Sequence, residues 1–433
     1  MSYEIIQWNR LAEDEKISSI QRPVLESLRE QGSIISSIFE SIASEGDQAL
    51  KRYTRMYDGV EIDNFLMTEK EIESAFSRTP RYLMQSIENA IENVKTFHQK
   101  NISNDAGIIK VKEGVKCQVI RRPIENVGLY IPAGNNPLPS TAIMLGVPSS
   151  LANNKQSFIV SPPNNEGLVN DSIVVAARLS GIGKIFKAGG AQSIAAMAQG
   201  TESIPQADKI FGPGNSWVTK AKQMISTLGL PVSIDMPAGP TEVMIISDGN
   251  TNPKFIAYDL LSQAEHGIDS QVILISPDES FLKKVSIEID KAIRTISTRE
   301  IARISMENSK LIFVDALEEA FNISNIYAPE HLIINCQDAE QMLPKISSAG
   351  SVFLGEWSPE SAGDYCSGTN HVLPTAGFAS SYSGLSVDSF CKSISVQSLT
   401  REGLQSIGDD IINLAMAEGL EAHAKAVAVR IEE

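Results

Sequence analysis

Four short stretches of this chain bring together side chains that hold metals or move protons. In Leu260-Leu-Ser-Gln-Ala-Glu-His-Gly267, the spacing of Phe255, Ile256, Leu260 and Leu261 predicts a helix that stops near Gly267. Gln263 and His266 lie three apart near its C-terminus, so an amide oxygen and an imidazole nitrogen reach one point. That is half of a zinc-type site, although a histidine at a helix end equally complements the helix dipole. In Ala328-Pro-Glu-His-Leu332, a carboxylate and an imidazole are adjacent, after a proline that disfavours helix at Ala328. Glu330 and His331 point in different directions and suit two successive proton transfers, one from a hydroxyl and one from a water. The alternative is a strand-entry histidine beside a solvated glutamate.

Gly363-Asp-Tyr-Cys-Ser-Gly-Thr-Asn-His371 offers Asp364 as a hard oxygen ligand and His371 in a supporting or structural place. Cys366 as a nucleophile would pass through a hemithioacetal, but no cationic group nearby in sequence would favour its thiolate. Glu418-Gly-Leu-Glu-Ala-His423 sets Glu418 and His423 five apart, so a bend at Gly419 is needed to bring both to one site. By itself this last stretch reads as a solvated acidic tail. Histidine is scarce, with five in 433 residues, and three of them sit beside carboxylates in these Gly- or Pro-punctuated stretches. His98, near the end of an amphipathic stretch, reads as a surface residue.

The elements that must position these groups alternate. The first hundred residues carry helical spacing over Val24–Glu30, Ile34–Ala43, Gln48–Tyr57 and Pro80–His98, with breaks at Gly32 and Gly46. Lys110–Pro123 reads as strands. From Val127 onward, strand then helix recurs, which implies a parallel sheet covered on both faces. Two turns in this part are Gly-rich, Gly189-Gly-Ala-Gln192 and Gly212-Pro-Gly-Asn215, at strand C-terminal ends where open α/β sheets bind ligands. Neither is a dinucleotide fingerprint or a phosphate loop, so a dinucleotide is one of several ligands they could take. A second alternating set runs from Val243 to Leu354, a Gly/Ser/Pro-rich loop system from Trp357 to Ser389, and a helical tail from Leu399 to Val429.

Length and composition bound the reading. Hydrophobic residues make up 42% and charged residues 21%, as in ordinary globular domains, and 433 residues leave room for two or three of them. The net charge of −16 disfavours nucleic acid and anionic membrane as partners. No apolar run has bilayer-spanning length, and the polar start lacks a leader pattern, so the expected location is cytoplasmic. The four scattered cysteines form no C-x-x-C, so they indicate neither a thiolate zinc site nor a disulfide framework.

Taken together, the chain resembles histidinol dehydrogenases. The motifs that carry the resemblance are Gly128-Leu-Tyr-Ile-Pro132, Ala188-Gly-Gly-Ala-Gln192, Gly212-Pro-Gly-Asn215, Asp235-Met-Pro-Ala-Gly-Pro240, Ser262-Gln-Ala-Glu-His-Gly267, Ala328-Pro-Glu-His-Leu332, Gly363-Asp-Tyr365, Gly368-Thr-Asn-His-Val-Leu-Pro-Thr375, Ser383-Gly-Leu-Ser-Val387 and the Glu418–His423 tail. The resemblance implies oxidation of L-histidinol through the aldehyde to L-histidine, with two NAD⁺ as co-substrates and one Zn²⁺ per subunit. It assigns zinc to Gln263, His266, Asp364 and His423, and the acid–base roles to Glu330 and His331. It assigns NAD to Tyr130, Gln192 and Asn215. Substrate falls to Thr241, Gln263, His266, His331, Asp364, Glu418 and His423. Thr241 stands where the family motif has Ser, and Ala133 where a Gly is usual.

The implied fold is α/β: two parallel-sheet, incomplete Rossmann-like domains with a helical N-terminal region and a helical C-terminal tail. The expected division is 1–26 as an N-terminal segment, 27–129 with 241–381 as a larger domain carrying the metal and catalytic residues, 130–240 as an NAD-side domain, and 382–433 as a dimerisation tail. The implied partner is a second copy, in a homodimer whose tails complete each other's sites. Three other classes fit parts of the pattern. A superfamily relative acting on another polyol or a sulfonated diol is disfavoured by Glu418, which would repel a sulfonate. A zinc hydrolase using Glu330 on a metal-bound water leaves the Gly-rich turns idle. A non-enzymatic acidic metal-binding protein remains, and turnover of a small alcohol excludes it.

Overall fold

The computed structural model describes residues 3–23, 28–103, 105, 107–133, 136–237 and 239–432. The chain opens with β1 (Ile5–Gln7) and α1 (Glu13–Ser19), then four helices: α2 (Leu28–Glu45), α3 (Asp47–Tyr57), α4 (Glu69–Arg78) and α5 (Arg81–Lys100). The first expected helix, Val24–Glu30, lies partly outside the described residues, and the expected break at Gly32 does not occur. A glycine inside a helix costs only roughly 0.5–1 kcal/mol, and α2 buries Ile35, Ile38, Phe39 and Ile42 completely or nearly so. Gly46 does break the chain: it takes φ +54° between α2 and α3.

α5 corrects one expectation. His98 is buried, not on the surface, because it continues the Ile87, Ala90, Val94 face of the helix. Burial pushes its imidazole down to about 4, and its Nε2 has no hydrogen-bond partner among the described residues.

β2 (Ile109–Lys112) and β3 (Val115–Pro123) form an antiparallel pair. Next come β4 (Asn126–Tyr130), α6 (Pro139–Ala152), β5 (Gln156–Ser161), α7 (Asp171–Leu179), β6 (Lys184–Lys187), α8 (Gly190–Gln199), β7 (Lys209–Phe211), α9 (Ser216–Thr227) and β8 (Ser233–Ile234). Their strands make a parallel sheet in the order β6-β5-β4-β7-β8. The chain then builds β9 (Glu242–Ser247), α10 (Pro253–Ala264), β10 (Gln271–Ser276), α11 (Glu279–Ala292), α12 (Arg299–Glu307), β11 (Lys310–Phe313), α13 (Leu317–Tyr327), β12 (His331–Asn335), β13 (Ser351–Leu354) and α14 (Glu360–Tyr365). This second sheet is also parallel, ordered β1-β11-β10-β9-β12-β13, and it recruits the first strand of the chain as an edge. β14 (Cys391–Leu399) returns antiparallel to β3, and α15 (Arg401–Ala417) and α16 (Glu421–Glu432) close the chain. The α/β class with two parallel sheets and a helical tail is therefore as expected.

Both parallel sheets are buried on both faces, as strand–helix alternation requires. In β9, Val243 and Ile245 enter one core while Met244 and Ile246 enter the other. In β5, Ile159 faces one core, and Phe158 and Val160 face the opposite one. The early helices pack on the five-stranded sheet, α2 and α3 through Ile35, Phe39 and Leu50, α4 and α5 through Ile72, Ala75 and Val94. Helix periodicity says which face is apolar and not which sheet it covers. α6 carries no sequence signal, because it is buried on nearly all sides and its apolar residues form no stripe.

Candidate active site

The two sheets present opposite strand ends to a common cavity. In the five-stranded sheet the chain runs β4, β5, β6 to one side and β7, β8 to the other, so its topological switch lies between β4 and β7. The ligand crevice of such a sheet lies at the strand C-terminal ends, at that point. Here those ends carry Tyr130 and Gly212. Gly212 takes φ +124°, and a Cβ there would meet the Tyr130 carbonyl oxygen at 2.1 Å, so only glycine lets the two turns close together. In the six-stranded sheet it is the N-terminal ends of β9 and β12 that matter, carrying Thr241, Glu242, Glu330 and His331. Between them lies a cavity of about 640 Å³, lined by Gly212–Ser216 and Thr219 on one side and by Thr241, His266, Glu330, His331 and Asp364 on the other.

Glu330 is held by donors from β9. Its Oε2 accepts the Thr241 hydroxyl at 2.6 Å and the Glu242 backbone N–H at 3.0 Å. Burial pushes its carboxyl up to about 7, against the restraint of the neighbouring imidazole and these donors. A carboxyl in that range suits proton transfer near neutrality. His331 opens β12 after Ala328 (φ 51°) and Pro329 turn the chain out of α13. Its Nδ1 lies 3.4 Å from the Glu242 carbonyl oxygen. With the Nδ1 proton donated there, Nε2 is the free atom, and it faces Asp364 Oδ1 at 3.6 Å and Glu360 Oε1 at 3.9 Å. Burial disfavours a charged imidazole, but Glu330, Asp364 and Glu360 outweigh it and lift His331 to about 10.

Three buried polar atoms without a hydrogen-bond partner among the described residues meet here, His331 Nε2, Glu360 Oε1 and Asp364 Oδ1, and Gln263 Oε1 is a further buried atom left without one. The His331, Glu360 and Asp364 ligand atoms lie within 4.8 Å of one another. Glu360 is lifted to about 8 by burial and by Asp364. Burial works against the Asp364 charge too, yet His331 and His371 hold it well below the usual carboxylate range. Crowded carboxylates with unused lone pairs beside an imidazole and an amide oxygen fit a divalent cation with N/O ligands.

The expected ligands divide accordingly. Gln263, in the last turn of α10, gives its amide N–H to Thr241 Oγ1, which leaves Oε1 for a ligand. His266 follows the helix cap in the α10–β10 connection and lines the cavity, and Asp364 sits on α14 beside it. His423 is not brought to them within one chain: it is exposed on α16, and Glu418 is exposed at the C-cap of α15. Glu360 was not expected. It lies four residues before Asp364, one helical turn away on the same face, and that spacing was the available signal. His371 holds the site together, its Nδ1 2.9 Å from the Asp364 carbonyl oxygen and its Nε2 3.3 Å from Thr141 Oγ1 on α6. Cys366 is exposed.

Of the three expected NAD residues, Asn215 lines the cavity, while Tyr130 and Gln192 are buried and are not among its lining residues. Asn215 also caps α9, accepting the Trp217 and Val218 N–H groups. The Tyr130 hydroxyl accepts the Gly190 N–H at 3.3 Å, and the Gln192 amide donates to Asp58 Oδ2 at 3.2 Å. Asp58, at the end of α3, was not expected there; burial raises it to about 6. Among the described residues no helix is long and apolar enough to cross a membrane.

Comparison with known proteins extends over the whole chain. The histidinol dehydrogenase family model matches residues 22–431. The histidinol dehydrogenase of Xanthomonas axonopodis pv. citri is 46% identical over 428 residues, covering 99% of each chain. That of Colwellia psychrerythraea is 44% identical over 433 residues, the full length of both. The crystal structure of histidinol dehydrogenase from Elizabethkingia anophelis superposes with a TM-score of 0.95 at 46% identity, covering 100% of this chain and 98% of that one. A match of this extent, in sequence and in structure, places the chain in the histidinol dehydrogenase family.

Proposed function

We propose that the protein oxidises L-histidinol to L-histidine in two hydride transfers to NAD⁺ at this cavity, in the cytoplasm. The observation that carries the reading is the convergence of unpartnered buried ligand atoms with the Glu330–His331 pair, opposite the switch point of a doubly wound sheet. The zinc ligands are Gln263, His266 and Asp364, with His423 of the partner subunit. Bound zinc supplies an anchor for the imidazole and amine of the substrate. Tyr130, Gln192 and Asn215 hold NAD⁺ on the five-stranded side. Thr241 and Glu418 of the partner subunit complete the substrate contacts. The tail, 382–433, serves as the dimerisation element. Leu414, Met416 and Leu420, exposed beside Glu418, support a covered face there.

In the first step His331, which would be neutral once a cation held by Asp364 offsets the carboxylates that raise it, takes the hydroxyl proton as hydride passes from the carbinol carbon to NAD⁺, which gives the amino aldehyde. Glu330 then removes a proton from a water that adds to the aldehyde carbon. Once His331 has released its first proton to solvent, loss of hydride from the resulting diol anion to a second NAD⁺, with His331 taking the remaining hydroxyl proton, gives the carboxylate. Holding the reactive aldehyde in the cavity between the steps prevents its loss. Incubation with L-histidinol and NAD⁺, followed by amino-acid analysis, tests this reading. L-histidine is the expected product, and accumulation of free aldehyde would contradict it.

A further inference from the structure

Glu242 stands between the two acid–base residues. Its backbone N–H donates to Glu330 Oε2, and its carbonyl oxygen faces His331 Nδ1, so both depend on where the first residue of β9 sits. Its side chain is buried and fixed by an ion pair. Arg22, from the segment before α2, donates through Nε to Glu242 Oε2 at 2.8 Å and places its NH2 nitrogen 2.7 Å from the same oxygen. The other carboxylate oxygen accepts the Ala376 N–H. The Arg22 guanidinium also lies 3.8 Å from the Tyr327 ring centroid and donates to the Tyr327 carbonyl oxygen at 2.7 Å. Tyr327 ends α13, three residues before Glu330. One guanidinium therefore ties the start of β9 to the chain that enters β12.

We propose that Arg22 and Glu242 are positioning residues that set the separation and orientation of Glu330 and His331. A buried ion pair adds little net stability over apolar side chains of similar volume. What it adds here is direction, through bonds of fixed geometry at each end. The segment before α2 thereby helps to hold the acid–base pair in place.

The inference rests on reading Glu330 and His331 as the acid–base pair. The test therefore runs zinc-loaded wild type, Glu330→Gln, Arg22→Ala and Arg22→Lys together, with kcat, KM, zinc content and melting temperature for each. Arg22→Ala is expected to lose about 10²-fold in kcat, the order of loss that follows a small misplacement of reacting groups. KM and zinc content stay near the wild-type values. Added guanidinium ion is expected to restore at least about tenfold of that kcat without accelerating the wild type, which a loss of fold alone would not allow. Arg22→Lys keeps the charge but not the fork, and is expected to be folded and still slower than wild type. Wild-type kcat in folded Arg22→Lys, or an Arg22→Ala loss that guanidinium leaves unchanged, would overturn the positioning role. Wild-type turnover in Glu330→Gln would instead overturn the reading on which it rests.

Discussion

Thr241 donates its hydroxyl proton to Glu330 Oε2 at 2.6 Å, and the same hydroxyl oxygen accepts the Gln263 amide N–H. One threonine thus sets two things: a donor for the Glu330 carboxylate, and a Gln263 rotamer whose Oε1 is left without a hydrogen-bond partner among the described residues. The hydroxyl, not the methyl, makes both contacts, so Ser in its place keeps them. Thr241→Ser is expected to turn over within about threefold of wild type, whereas Thr241→Val is expected to lose about 10- to 100-fold in kcat, the worth of a hydrogen bond to a charged group. Steady-state rates decide it, and equal rates in the two variants would contradict the role.

Replacing the acid–base pair separates the two chemical steps. Glu330→Gln keeps shape and loses the carboxylate, so oxidation of the aldehyde should fall more than oxidation of the alcohol. His331→Asn should slow both. General-base loss costs about 10²–10⁴ in rate. Single-turnover NADH formation from L-histidinol and from the amino aldehyde reads the two steps. A Glu330→Gln defect confined to the alcohol step would exchange the roles.

Metal and assembly are tested by one pair of variants. A chelator is expected to stop turnover and Zn²⁺ to restore it, and His266→Ala is expected to lack stoichiometric zinc by atomic absorption. Within one chain His423 is exposed, away from the cavity. If it serves the neighbouring subunit, His266→Ala and His423→Ala chains, each inactive alone, form mixed dimers in which one site carries neither lesion. Recovery of activity on mixing is the expected result. Verified heterodimers with no activity would exclude shared sites.

His98 makes stability depend on pH. Its folded-state value near 4 lies below the ordinary 6.5, so between these values the unfolded chain binds a proton that the folded chain does not. Its contribution is present above about pH 6.5 and is lost as pH falls toward 4, on the order of 3 kcal/mol in all. Urea unfolding at pH 7 and pH 5 should show a smaller stability difference in His98→Leu than in wild type. An unchanged difference would place the pH dependence elsewhere.

The sequence made the chemistry legible and much of its placement not. Residue types and local spacing identify Gln263, His266, Glu330, His331 and Asp364, since each lies in a stretch whose turn or helix end is written in nearby Gly or Pro. Alternating strands and helices likewise imply two parallel sheets. Glu360 is not legible because Trp357–Ser389 reads as a loop system, and only the folded α14 puts it on one helical face with Asp364. Arg22, Glu242 and Asp58 are invisible for a different reason. Their roles come from contacts across the fold, and no local period reports which strand end a distant side chain meets. For the same reason the use of the N-terminal ends of β9 and β12 emerged only from the folded sheet.

The central claim is a four-electron oxidation completed at one site. The direct measurement is the amount of NADH formed per L-histidinol consumed, with the amino aldehyde assayed in the same mixture. Two NADH per substrate, with no aldehyde released, is the result the account predicts. One NADH per substrate with aldehyde in solution, or substrate consumption without NADH, would contradict it.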